Sequence, residues 1–346
     1  MSQILKANSN KSNCATMTIN EKFTISFKPG EVTDIILASG KRIKTACINC
    51  QNPMCTKLRD EEITCDDFKE IAHEMNHTVC PVDAIKSGID SIQIDKSKCI
   101  GCGLCASRCP IGAIYVKDGK GVVSTESNHY VKAVSNTSDG NKEQEAFIQK
   151  ALGMKRTGSI QKENNTVMEL LYKSIKRMDQ TKQNILARNL LIQLGNNSTL
   201  SRQGNVYMRM DGFYDNSIQY GVVEIETGAD MLDVSRALLD DVAVINTRYN
   251  VQKDKNHPLA IVLGLPNKRT DYWQVVKDIR EVVNLQINTI TFGALLILLW
   301  NNVMINDFDE FYIDVDNSSI REVVKDKIGR SCSISDGTLG VLENSK

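Results

Sequence analysis

The chain has 346 residues, 41% of them hydrophobic, and its 42 basic and 42 acidic side chains cancel to a formal net charge of zero. That length suggests two or three domains, and the neutral balance excludes a global field drawing the chain to nucleic acid or a membrane surface, so any such attraction has to be local. Eleven cysteines in a reducing compartment read as metal ligands rather than disulfides.

In chain order, residues 1–40 form a polar N-terminal extension with no apolar signal core. The longest strongly apolar run, FGALLILLW at Phe292–Trp300, falls short of the ~20 residues a bilayer span needs. A soluble cytoplasmic protein with no membrane partner is therefore expected.

Ten of the eleven cysteines lie between Cys14 and Cys109, and they repeat. CINCQNPMC (Cys47, Cys50, Cys55) precedes CPVDAI at Cys80, and CIGCGLC (Cys99, Cys102, Cys105) precedes CPIGAI at Cys109. Such short spacings let one loop wrap several corners of a metal cluster. Gly101 and Gly103 permit the close backbone approach this requires, and the proline after each last cysteine redirects the chain without offering an N–H. CxxC pairs also bind zinc, but two Cys-Pro repeats with small apolar followers favour iron–sulfur. Cys14, Cys65 and Cys332 have no partner pattern and read as ordinary thiols.

Over about residues 40–118 this pattern resembles the bacterial dicluster ferredoxins. The resemblance implies an α+β iron–sulfur domain at 41–118 with two 4Fe–4S clusters and crossed ligation, and with it one-electron transfer to a redox partner protein. Cys47, Cys50, Cys55 and Cys109 would hold one cluster; Cys99, Cys102, Cys105 and Cys80 the other. The first motif departs from the family in its longer arm, QNPM between Cys50 and Cys55, and in an insertion at 56–79. Cys65 in place of Cys55, or a three-iron cluster, are the alternatives there. Phe68, Ile71, Ala72 and Met75 fall at helical spacing, so the insertion is expected to be helical. Its His73 and His77 lie four apart on one face and read as surface histidines.

Residues 119–142 are rich in Ser, Asn, Gly and charges and read as a linker, with a second domain at 143–346. Its first element is a helix from Val167 to Leu194, with a capping box at Thr166 and Glu169, a break near Asp179–Lys182, and Gly195 as its stop. Between Lys150 and Arg188 nine basic residues (150, 155, 156, 162, 173, 176, 177, 182, 188) face three acids (163, 169, 179). This is a surface for DNA phosphates, or else an ordinary solvated helix face. A strand alternating Val206, Met208 and Met210 is expected to end at Asp211-Gly212. After a turn at Asp215-Asn216, a second strand follows at Gly221–Glu226. A helix with Val234, Leu238, Val242 and Ile245 inward comes next, then a strand at Leu259–Pro266, a helix at Asp271–Val283, and a strand at Gln286–Thr291. An apolar helix, GALLILLW, a strand at Phe311–Val315 and a helix at Ser319–Ile328 close the chain. This order predicts an α/β domain, a mixed sheet flanked by helices.

Alternation puts Glu224 and Glu226 on one face of their strand, and a paired hairpin brings Asp211 near them. Converging carboxylates make a hard oxygen site suited to Mg²⁺ or Mn²⁺. The arrangement resembles, over about residues 165–300, the restriction-endonuclease-like superfamily with its PD…(D/E)xK hairpin. Asp211 would match the motif Asp, Glu224 the motif acid, and Glu226 the position of the Lys, while Met210 stands where the Pro would be. The resemblance implies metal-dependent phosphodiester hydrolysis by Asp211, Glu224 and Glu226, with Glu169 and Arg236 as assisting groups. Three readings follow: a nuclease-like effector with a ferredoxin module, an electron-transfer protein whose second domain docks a partner, and a non-catalytic nucleic-acid scaffold.

Overall fold

Among the described residues, strands pair only two by two in the cysteine-rich part of the computed structural model. It describes residues 54–87, 92–109, 114–123, 160–204, 209–216, 218–228 and 231–344, together with the backbone of four isolated strands. β1 (Ala15–Ile19) pairs antiparallel with β2 (Phe23–Phe27), and β3 (Asp34–Ile36) runs parallel to β8 (Tyr130–Lys132). β4 (Ile85–Ser87) and β5 (Ile92–Ile94) form a hairpin, and so do β6 (Ile114–Lys117) and β7 (Lys120–Val123). The short helix α1 (Leu104–Arg108) carries the second cysteine motif. These elements belong to a first unit made of Met1–Leu58, Thr78–Gln161 and Trp300–Asn302. β7 lies inside the segment read as linker: Gly121 and Lys120 both bond to Cys99, so residues 120–123 are part of the cysteine scaffold.

The second unit comprises Arg59–His77, Lys162–Leu299 and Val303–Lys346. Its five-stranded sheet has the order β13-β12-β11-β10-β9, with β9 at Asn197–Leu200, β10 at Gly212–Asp215, β11 at Tyr220–Glu226, β12 at Leu259–Val262 and β13 at Asn288–Thr291. β9–β10–β11 is an antiparallel meander, with four residues between β10 and β11; β11, β12 and β13 are parallel. Parallel neighbours need crossovers, supplied by α4 (Met231–Arg248) and α5 (Tyr272–Val283). Every residue of β12 is buried, as its unbroken apolar run LAIV requires of a strand covered on both faces. α5 turns Tyr272, Trp273, Val276 and Ile279 inward; α6 (Phe292–Trp300) is buried all round. A mixed sheet with helices is thus present, as the element order predicts.

Several local expectations differ. The helix expected from Val167 to Leu194 does break near Asp179, as expected, into α2 (Asn165–Lys176) and α3 (Gln180–Gln193), but its caps differ. The first is capped by Asn164, whose side chain accepts from Val167 N at 2.9 Å, rather than by Thr166. The second starts where Asp179 accepts from Lys182 N at 2.9 Å, so the break is a new N-cap. The strand at 206–210 falls largely outside the described residues; β10 begins after Asp211, not before it. Phe311–Val315 is no strand: a 3₁₀ turn at Asp309–Phe311 buries Phe311 instead. The insertion expected to be helical holds only two 3₁₀ turns, at Asp60–Glu62 and Asp66–Phe68. Ile63, Cys65, Phe68 and Ile71 are buried while Met75 is 52% exposed, so these anchors do not form a helical stripe. They pack on the second unit, where Phe68 stacks on Phe213 at 4.6 Å. No helix among the described residues is long and apolar enough to cross a membrane.

Candidate functional site

In the first unit the cysteine loop is built by its glycines. Gly101 adopts φ +76°, and a Cβ there would lie 2.1 Å from the Gly119 carbonyl oxygen. Gly103, at φ +85°, is the N-cap of α1, and the Trp300 indole N–H donates to Cys102 O at 2.8 Å. The sulfurs meet backbone donors: Gly121 N donates to Cys99 Sγ at 3.2 Å, and Ala84 N to Cys80 Sγ at 3.3 Å. Burial raises the proton affinity of the Cys80 and Cys105 thiols and pushes Cys102 up to about 12. The neighbouring thiols add to the rise: Cys105 feels Cys102, Cys80, Cys99 and Cys109. Four thiols that repel one another as thiolates, with N–H groups aimed at sulfur, fit a cationic iron–sulfur core, which reverses both the burial and the repulsion.

Cys47 and Cys50 lie outside the described residues. Cys55 and Cys109 are both buried, and the Arg108 guanidinium Nε donates to Met54 O at 2.6 Å, which joins their two chain segments. Cys65 belongs to the second unit. It is 1% exposed beside Asp215 and Thr199, and burial raises its thiol well above the usual range.

The second site lies at the join of β10 and β11. The register sets Gly212 against Val223, so Asp211 stands opposite Glu224. Asp211 Oδ1 accepts from Asn184 Nδ2 at 2.8 Å and from Gln180 Nε2 at 3.4 Å; Oδ2 accepts from Ile225 N at 2.9 Å. Asp211 N donates to Glu224 Oε1 at 3.3 Å. Helix α3 thus supplies two amides that orient the aspartate, and β11 supplies a backbone donor. Glu226 follows on the same face and accepts from Gly228 N.

A fourth carboxylate, absent from the sequence reading, is Asp241 on α4. It is 2% exposed, bonds to Glu224, and its Oδ2 has no hydrogen-bond partner. Burial raises the proton affinity of Glu224, and the charges of Asp211 and Asp241 raise it further. Burial likewise raises Asp211, and Glu226 adds to it. Among the described residues no three His, Cys, Asp or Glu side chains are placed to hold one ion between them. The donors fit an ion that takes one or two protein carboxylates and keeps several waters, as Mg²⁺ does.

Beside Asp211 opens a polar cleft of about 450 Å³, lined among others by Glu74, Asn76, Asn184, Arg202 and Arg209. The assisting groups expected from sequence stand elsewhere: Glu169 pairs with Lys173 at 3.7 Å and Arg236 with Asp233 at 3.9 Å, all on exposed helix faces. The basic run is smaller than its count suggests. Arg188 is 1% exposed, Lys182 pairs with Asp179, and residues 150, 155 and 156 are outside the described set.

The family model for a 4Fe-4S binding domain matches residues 92–115. Over 74 residues the chain is 43% identical to Hydrogenase-4 component A of Escherichia coli, covering 21% of this chain and 35% of that protein. It is 52% identical over 40 residues to Ferredoxin 7Fe of Hydrogenibacillus schlegelii, 12% of this chain and 51% of the relative. The Formate dehydrogenase iron-sulfur subunit of Wolinella succinogenes is 32% identical over 79 residues, 22% of this chain and 29% of the relative. The chain thus spans about a third of the length of the first of these curated relatives. Among solved structures, restriction endonuclease FokI aligns over 56% of this chain and 38% of its own, at 13% identity and a TM-score of 0.28, too slight a likeness to identify a shared fold. What the motif, the glycine-built loop and the relatives establish together is a ferredoxin-like 4Fe–4S binding domain at residues 92–115.

Proposed function

We propose that this chain joins a ferredoxin-like module with two 4Fe–4S clusters to a nuclease-like domain that binds Mg²⁺ or Mn²⁺ and hydrolyses phosphodiester bonds. The observation that carries the second half is the convergence of Asp211 and Glu224 with buried Asp241 behind them. Like charges packed this closely, with burial added, hold protons unless a cation takes their place. A divalent ion bound there supplies a Lewis acid for a phosphate oxygen and a water of lowered pKa. Asn184 and Gln180 hold Asp211 in place for it, and the cleft admits the strand. Glu226 replaces the lysine of the resembled motif, so a positive group beside the phosphate comes from elsewhere; Arg209, which lines the cleft and whose charge acts on Asp241, is such a group.

The two-cluster count rests on both repeats. Arg108 bonded to Met54 supports Cys109 with Cys55, and the mutual repulsion of Cys80, Cys99, Cys102 and Cys105 supports the second set. The test is to incubate anaerobically purified protein with plasmid and single-stranded DNA plus Mg²⁺ or Mn²⁺, oxidised and reduced, beside Glu224→Ala. Metal-dependent cleavage lost in the variant is the expected result; equal cleavage by both proteins overturns the reading.

A second reading is an electron-transfer subunit in the cytoplasm whose second unit docks a redox partner. It is favoured by the 43% identity of the cysteine-rich segment to Hydrogenase-4 component A. Reduction by a low-potential donor with electrons passed to a protein acceptor, and no cleavage in any state, would decide for it.

A further inference from the structure

The insertion between Cys55 and Cys80 leaves the cysteine scaffold through a paired neck. Lys57 and Thr78 form an antiparallel bridge, and Val79 N donates to Thr56 O at 3.1 Å. Between these points the chain belongs to the second unit. Ile63, Cys65, Phe68 and Ile71 are each at most 2% exposed, and Asp66 N donates to Asp215 Oδ2 at 2.7 Å. Each such apolar side chain contributes about 1.5–3 kcal/mol, so the insertion is a fixed part of that unit rather than a detachable flap.

The next residues form a wall of the cleft. Arg202 N donates to Ala72 O at 3.3 Å, His73 bridges Ser201, and Glu74 N donates to Leu200 O at 2.9 Å. Gln203 N donates to Glu74 Oε1 at 3.1 Å, and Glu74 and Asn76 line the cleft together with Asp211. From Glu74 to Cys80 the chain can reach at most ~20 Å when extended. One end of this strap is pinned by the buried anchors, and the other ends in a cysteine of the second thiol set. The shortest path along the chain from Cys80 to a residue that lines the cleft therefore runs through this strap.

We infer that the strap Ala72–Val79 couples the cluster held at Cys80 to the cleft beside Asp211, so that keeping the cluster and binding a nucleic-acid strand favour one another. The choice of ligand rests on the phosphodiester reading above; the coupling itself rests on the strap. Coupling free energies act on both sites equally.

The experiment uses the full chain, cluster-loaded and after stripping with ferricyanide and EDTA, beside a variant with three glycines inserted between His77 and Thr78. Hydrogen exchange is read for the strap peptide, for the anchors around Phe68 and for β12. Affinity is read with fluorescein-labelled single-stranded DNA in Ca²⁺. Stripping is expected to speed strap exchange and weaken DNA binding about tenfold, to leave the anchors and β12 protected, and to change neither readout in the spacer variant. Unchanged strap exchange, loss of protection throughout β12, or a full response in the spacer variant overturns the inference. A strap that responds in a protein that binds DNA in neither state overturns the phosphodiester reading alone.

Discussion

Glu224 sits where three demands meet: it faces Asp211 across the hairpin, bonds to Asp241 from the helix, and is largely withdrawn from water. Its proton is therefore held well above the ordinary carboxylate range, and a cation must displace it to bind. Mn²⁺ affinity is expected to rise with pH between about 6.5 and 8.5, because deprotonation of this group becomes cheaper; titration at the two pH values checks this, and a flat response contradicts it. Asp215 gives a separate test. Burial, with Asp66 and Asp67 adding to it, pushes its carboxyl up to about 6. A carboxyl raised in the folded state contributes stability that is present at low pH and lost as pH rises through 6. Asp215→Asn should therefore stabilise the protein by about 1–2 kcal/mol at pH 8, allowing for partial exposure. The gain should vanish toward pH 4, as read by urea denaturation at both pH values.

At the scale of elements, the insertion decides most. Phe68 stacks on Phe213 and meets Tyr220 edge-on at 5.5 Å. Phe68→Ala should cost about 3–5 kcal/mol in the second unit although the residue lies between cysteines of the first, while exposed Met75→Ala stays within about 0.5 kcal/mol; denaturation followed by Trp273 fluorescence reads both. This segment also shows where sequence reading stops. Phe68, Ile71 and Met75 share helical spacing, but the spacing does not reveal that two of them are anchors on another sheet and the third faces water. The strands at the heart of the sheet were legible because LAIV and VVEIE carry the apolar runs that buried neighbours demand. β9, with the letters NSTL, was not: Ser198 is buried because its hydroxyl finds Phe213 O at 2.8 Å, a partner known only once the chain has folded. Asp211, Glu224 and Glu226 could be placed from hairpin alternation. Asp241 could not, since an acid on an amphipathic helix reads as solvated until the helix packs against β11.

The whole molecule divides its chemistry between two units, and the chain passes from one to the other inside a cysteine motif. If both repeats hold a cubane, anaerobic protein carries about eight irons and eight sulfides, and Cys80→Ala lowers both by about half; iron and sulfide analysis decides, and a count near four in the unaltered chain contradicts the pairing. The account turns most on whether the carboxylates bind a cation. The direct measurement is an electron paramagnetic resonance titration of Mn²⁺ into the full chain and into Asp211→Asn. One tightly bound Mn²⁺ per chain, lost in the variant, is the predicted result. No bound Mn²⁺ in the unaltered chain, or equal binding by both proteins, would contradict the account.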